Sequence, residues 1–357
     1  MFFAPKSMTK KLLFCSFPLF LFGCDNKIEG YIEDLGENTD TVCEDDISTT
    51  GFKQVAYWSE SDEDTLEDID FSMLTHIIYN KVSVDSSGNL TIPDEDEFED
   101  MIDYAHDNGI YAMASIGNSS DSAFNAIAAS DDALDDFSDN LTDLIKDYDL
   151  DGIDINWQFP YEDEEGDRFE NLMKEVDDVT SNECALFSYV VSGDYSYQDA
   201  TDDGVQDDVL DYGDFLNVMA LDTIDDDDLH SSYADAQIGL AYWTARGVDS
   251  DRLILAIPAY SDGSGALDFG EIVGDDLDNA CVDEASNVED ENGNEFDDIN
   301  YNGIPTVTSK TEYAQNNAGG VILRSLEQDY FDDNGQYSLL ATIYLQVLGT
   351  PNDICDN

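Results

Sequence analysis

The stretch LDGIDINWQFP, Leu150–Pro160, decides how the rest of the chain is read. Ile153, Ile155 and Trp157 alternate with Asp154, Asn156 and Gln158, and a strand turns successive side chains to opposite faces. Asp154, Asn156 and Gln158 therefore point the same way. A structural account of the row exists, with Asp151 capping a turn and Asp154 satisfying buried backbone groups. An inward row of polar side chains is nevertheless costly unless it is used, and a functional row is the stronger reading. Trp157 and Phe159 lie on the alternate positions and are expected to pack between this strand and covering helices.

Seven further β-rich runs flank this one: QVAY from Gln54, HIIY from His76, IYAMASI from Ile110, LFSYVV from Leu186, FLNVMA from Phe215, LILAI from Leu253 and GVIL from Gly320. Segments of helical period separate them. Leu134, Phe137, Leu141, Leu144, Ile145 and Tyr148 make one apolar face, and Phe98, Met101, Ile102 and Ala105 a second. Leu339, Leu340, Ile343, Tyr344, Val347 and Leu348 make a third. Eight alternations of strand and helix predict an α/β fold of the (β/α)8 TIM barrel type over residues 51–357, because open doubly wound sheets usually have fewer strands. The polar stretch Asp262–Asn300 is too long for a simple loop and reads as an insertion after strand 7. The polar row of the fourth strand then projects near the C-terminal end of the barrel, where such folds carry their chemistry.

The N-terminus places Lys6, Lys10 and Lys11 ahead of the apolar run Leu12–Gly23, the order of an export signal and too short to cross a bilayer comfortably. It ends in Leu21-Phe22-Gly23-Cys24, which resembles a bacterial lipobox. Residues 1–23 are accordingly expected to be a lipoprotein-type signal peptide and Cys24 the lipidated residue. An ordinary cleaved signal and an uncleaved anchor are the other readings, and Phe22 is bulky for a lipobox. Residues 24–50, polar and acidic, read as a tether.

With 13 Lys and Arg against 83 Asp and Glu, the chain carries a formal charge of −70. Nucleic acid and anionic membrane faces are thereby excluded as partners. The acid is spread along the chain and reads as a halophile-like surface screened by cations. Asp290, Asn292 and Asn294 are the best candidate for a calcium loop, although they lack the glycine of that pattern. Removing Cys15 and lipidating Cys24 leaves Cys43, Cys184, Cys281 and Cys355, which allow three pairings. Cys43–Cys355, near the two chain ends, is the pairing expected from a closed barrel.

LDGIDINWQFP is similar to the fourth-strand signature of glycoside hydrolase family 18, the chitinases and endo-N-acetylglucosaminidases, which reads DGIDIDWEYP or close to it. The resemblance continues through QVAYWSES, LTHIIYNKVSVDSSGNL, SIGN at Ser115–Asn118, NVMALD at Asn217–Asp222, IPAY at Ile257–Tyr260 and YNGIPTVTSKTEYAQNNAGGVILRSLEQD. It implies substrate-assisted hydrolysis, in which the motif's glutamic acid protonates the glycosidic oxygen and an aspartate steadies the attacking acetamide. Here Gln158 stands at the acid's position and Asn156 at the aspartate's. Leu221 replaces a tyrosine, and Arg324 replaces the tryptophan beneath the reacting sugar. No catalytic set is intact among the motif positions Asp151, Asp154, Asn156, Gln158 and Asp222.

The resemblance therefore implies a glycan-binding protein for N-acetylglucosamine-containing carbohydrate, with Tyr57, Trp58, Asn156, Gln158, Asp222, Tyr260 and Arg324 as candidate contacts. The alternatives are an active hydrolase with a relocated acid, for instance from Asp262–Asn300, and a protein-binding scaffold. A monomer without cofactor or metal is expected, held to the cell envelope through its lipid alone.

Overall fold

The computed structural model describes residues 51–59, 66–118, 122–161, 163–194, 204–221, 230–262, 266–290, 292–331 and 335–355. The chain divides into two compact units, Met1–Asp40, which lies outside those residues, and Thr41–Asn357, which contains the barrel. The signal, the tether, Cys24, Cys43 and Asp222 all lie outside the described residues.

Eight parallel strands close on themselves: β1 (Lys53–Trp58), β2 (His76–Val84), β3 (Tyr111–Gly117), β4 (Gly152–Asn156), β5 (Leu186–Ser192), β6 (Phe215–Met219), β7 (Leu253–Pro258) and β8 (Gly320–Arg324). Each pairs with its neighbours in chain order, and β1 pairs with both β2 and β8, Lys53 standing opposite Gly320. All eight expected runs are strands of this (β/α)8 barrel. β4 and β8 lie diametrically opposite in the ring.

The helices between them have ends that the sequence specifies. In α1 (Glu95–Asn108), Asp94 accepts from the N–H groups of Asp96 and Glu97, and Gly109 ends the helix at φ 71°, a left-handed position that glycine takes without steric cost. After α2 (Ser122–Ala128), α3 (Asp131–Tyr148) starts on a Ser130 cap, with Asp131 and Asp132 in its first turn and Lys146 in its last. That charge order suits the helix dipole. Leu134, Phe137, Leu141, Leu144 and Ile145 are buried as their period requires. The remaining helices are α4 (Asp163–Glu183), α5 (Tyr233–Ala245), α6 (Phe269–Asp275), α7 (Ile304–Asn317) and α8 (Leu339–Val347). The α8 stripe is buried at Leu339, Leu340 and Ile343, while Leu348, just past its end, is 57% exposed.

Two apolar layers follow from strand alternation. The barrel interior holds Val55, Tyr57, Ile78, Met113, Val190, Met219 and Ile322 among others. The layer under the helices holds Trp58, Tyr79, Trp157 and Trp243. Trp157 is there as expected, stacked on Phe124 with centroids 5.4 Å apart and edge-on to Phe169 at 5.6 Å. Phe159 is not: it is half-buried against the interior cluster. β4 ends at Asn156, and strict alternation ends with it.

The insertion after β7 is folded. It contains α6, a 3-10 turn (Leu277–Cys281) and two short antiparallel pairs, Glu284–Ala285 with Ile299–Asn300 and Val288–Glu289 with Glu295–Phe296. Asp290 accepts from Asn292 N, Asn294 N and Asn294 Nδ2 at 2.7–2.9 Å. The candidate calcium triad is thus the turn of a hairpin, with its carboxylate already engaged by the backbone and side chain it caps. Cys281 is bonded to Cys355, 74 residues away, which corrects the expected Cys43–Cys355 pairing: the C-terminus is tied to the insertion. Cys184 is also in a disulfide. No helix among the described residues is long and apolar enough to cross a membrane.

Candidate functional site

Asp154, on β4, is fully buried at the barrel axis. It accepts four hydrogen bonds: from Tyr57 Oη at 2.9 Å and Ser115 Oγ at 2.7 Å on Oδ2, and from Ser188 Oγ at 2.7 Å and Asn217 Nδ2 at 3.0 Å on Oδ1. The donors come from β1, β3, β5 and β6, so one carboxylate ties five strands together. Burial pushes the carboxyl up from its ordinary value, and the four donated bonds pull it back. The same burial, with Asp154 alongside, holds the Tyr57 hydroxyl far above its usual range, so it stays a donor.

Asn156 lies two residues further along the same face, half-buried at the end of β4, and Gln158 is exposed beyond it. Gly117 of β3 stands opposite Asn156. A Cβ added to Gly117 would sit 3.3 Å from Lys81 Cδ and 3.5 Å from Asn156 Cβ, so this glycine leaves room for the Lys81 stem at the mouth. Arg324, the last residue of β8, extends over the Tyr57 ring with its guanidinium carbon 5.2 Å from the centroid. Leu221 is half-buried against the interior cluster. Asn156, Arg324 and the Asp154 group therefore meet on one axis at the C-terminal end of the barrel.

Other candidates fall elsewhere. Trp58 faces the helices, 1% exposed and 6.0 Å from the Tyr79 ring, because it alternates with inward Tyr57. Tyr57 itself is fully buried beneath the mouth and offers no stacking face to solvent. Tyr260 follows β7, pairs its backbone with Asp268 at the base of the insertion, and places its ring 5.8 Å from His230. Asp151 is at the opposite end of β4. Its Oδ2 accepts from Ala112 N at 2.8 Å and lies 3.0 Å from His106 Nε2, the turn-capping role weighed from sequence.

Asp151 also lines a cavity of about 790 Å3 at the N-terminal face, together with Lys53, His76, His106 and Glu183. Burial there pulls His76 down to about 3, so it is neutral. This cavity is at the end of the barrel away from the strand C-termini, where conserved scaffold rather than chemistry is the rule for the fold.

Sequence reading missed Ser115, Ser188 and Asn217, although each occupies an inward position on its strand and the period of 2 would have found it. It also missed Lys81, hidden in the irregular pairing that follows Asn80. Glu327 was missed as well: it sits in a 3-10 turn after β8, and its carboxylate accepts Ser59 N at 3.1 Å. Burial pushes that carboxyl up to about 7.

A closed parallel barrel with a polar group on its axis and a polar row at the end of β4 is a (β/α)8 barrel whose candidate site lies at its C-terminal mouth. The sequence profile of Glycosyl hydrolases family 18 matches residues 53–329, and the chain belongs to that family. Probable chitinase 10 of Drosophila melanogaster is 22% identical over 88% of this chain, which spans about a sixth (17%) of that relative's length. Among solved structures, a mutant of Ostrinia furnacalis Group II chitinase catalytic domain 2 in complex with (NAG)5 superposes with a TM-score of 0.68 at 18% identity, over 84% of this chain and 96% of that one. The chitinase-like agglutinin RobpsCRA from Robinia pseudoacacia gives 0.67 at 20% identity, over 82% and 99%. At these identities the superpositions establish the fold.

Proposed function

We propose that the barrel mouth holds an N-acetylglucosamine-containing glycan without cleaving it. The observation that carries this is Gln158, exposed at the end of β4 where the family's proton donor stands, since a carboxamide releases no proton at any relevant pH. Asn156 beneath it keeps hydrogen-bonding capacity but lacks the charge that would balance a developing cation. The neighbour solved with (NAG)5 and the chitinase-like agglutinin support a sugar as the ligand. Titration calorimetry with chito-oligosaccharides, run beside a product-release assay, tests the reading: binding without turnover is expected, and turnover near 1 per second or above overturns it.

A relocated acid is the second reading, and Glu327 favours it, because a carboxyl held at about 7 is a competent donor at neutral pH. It follows β8, across the barrel from β4. If wild type cleaves and Glu327→Gln abolishes cleavage with binding retained, this reading replaces the first.

We further propose export and lipid anchoring through Cys24 to a bacterial cell envelope, on the lipobox-like LFGC and on disulfides that need an oxidising compartment. Fatty-acid labelling is expected in wild type and absent from Cys24→Ala; labelling that persists in the variant overturns it.

A further inference from the structure

Lys81 and Arg324 stand at the barrel mouth in a chain with only 13 basic residues and a charge of −70. Neither has its charge paired: among the described residues, Lys81 makes no hydrogen bond or ion pair, and Arg324 makes no ion pair. Arg324 Nη1 is buried without an acceptor while the side chain as a whole is only half-buried. An orphaned guanidinium donor is a standing cost that an anion would relieve.

Among the described residues, none supplies that anion. Asn156 and Gln158, the polar side chains at the end of β4, are neutral. Asp154 lies deeper and is consumed by its four donors. Glu327 is within electrostatic reach of Arg324, but its carboxylate faces Ser59 N and forms no ion pair with the guanidinium. Among the described residues the mouth thus brings two cations together with two neutral amides, in a chain whose formal charge is −70. A neutral sugar's hydroxyl and carbonyl oxygens can accept from both side chains, but only an anion neutralises their charge and makes the stronger charge-assisted contact.

We propose that the glycan held at this mouth carries a fixed anion, a carboxylate or a sulfate ester, which Arg324 and Lys81 recognise. The inference rests on the glycan-binding reading above and names the ligand's charge. The overall field bears on length as well as sign. At −70 the protein repels polyanions at range, so the ligand is a short oligomer with one or a few charges on an N-acetylglucosamine framework. Salt separates this from loose attraction to a basic patch: the remote repulsion is screened as the Debye length falls from about 10 Å at 0.1 M to about 3 Å at 1 M, while contacts inside the mouth are screened much less.

Three short oligosaccharides of matched size test it by calorimetry: one neutral N-acetylated, one with a uronic-acid carboxylate, one with a sulfate ester. At least one charged oligomer is expected to bind about tenfold tighter than the neutral one, the contribution of a single charge-assisted contact, and to hold or gain affinity between 0.1 and 1 M salt. The two charged arms distinguish carboxylate from sulfate. In Arg324→Met with Lys81→Met the ratio of charged to neutral affinity should collapse to about one. Arg324→Lys, which keeps the charge and loses the planar fork, should retain part of it. Thermal melts confirm that each variant is folded. Equal or better binding of the neutral oligomer overturns this inference and leaves the glycan reading standing; no binding by any of the three overturns both. Affinity that falls steeply with salt identifies an adventitious basic patch and also overturns it.

Discussion

Tyr57 Oη donates to Asp154 Oδ2 at 2.9 Å from the far side of the ring, β1 to β4, and both groups are fully buried. The bond joins strands that share no backbone pairing. With Ser115, Ser188 and Asn217 on the same carboxylate, it makes the polar centre a structural tie.

Asp154→Ala is accordingly expected to cost about 3 kcal/mol or more in chemical denaturation, since it leaves buried donors on four strands without their acceptor. Tyr57→Phe removes one of four bonds and should cost roughly 1 kcal/mol. A loss under about 1 kcal/mol for Asp154→Ala would mean that the centre relaxes or admits water.

Restoring the motif piecemeal should recover little, because the groups of a catalytic set act as a unit. Gln158→Glu alone is expected to stay near background on N-acetylglucosamine oligomers, and Asn156→Asp with Gln158→Glu to reach weak turnover at most. Leu221→Tyr and Arg324→Trp are needed for more, as both positions border the mouth. Full activity from Gln158→Glu alone would show that the remaining departures are immaterial.

Two buried groups set opposite pH slopes. Glu327 is raised from 4.5 to about 7 in the folded chain, so the native state holds the extra proton, and stability falls as pH rises through that window. The loss is roughly 1 to 3 kcal/mol after allowing for its partial exposure. Lys310, fully buried against Ser231 O and Asn302 Oδ1, is pulled from 10.5 down to about 7. The unfolded chain then binds more protons, and stability rises from about pH 7 to 10.5. Denaturation midpoints against pH should show Glu327→Gln flattening the first slope and Lys310→Met the second.

Stability should rise with salt, because −70 charges on one chain repel less as screening strengthens. A melting temperature that is flat or falling between 0.1 and 1 M salt would refute a halophile-like surface.

The barrel was legible because its signals are local. Each strand is a short β-rich run, and each covering helix shows its stripe, as at Leu134, Phe137, Leu141 and Leu144. Motif spacing also placed Asp154 and Asn156 on one face of β4, while Gln158 lies beyond the strand's end. Tertiary placement was harder to read. Trp58 and Tyr57 are neighbours in sequence with opposite fates, and only strand phase decides which faces inward. Phe159 escaped because periodicity stops where β4 stops. Lys81 and Glu327 escaped because a pairing irregularity and a 3-10 turn carry no hydrophobic rhythm, and the disulfide partner of Cys355 because pairing depends on where the insertion folds back.

The Cys281–Cys355 bond encloses α7, β8 and α8. β8 is the stave that turns a seven-strand sheet into a ring, bonding β7 on one side and β1 on the other. Backbone cleavage anywhere within that enclosed segment leaves a single covalent molecule, and a nicked barrel has no detached piece to lose. In an oxidising compartment a cut within this last fifth of the chain therefore leaves one covalent molecule; in a reducing one the piece beyond the cut is held by hydrogen bonds and packing alone.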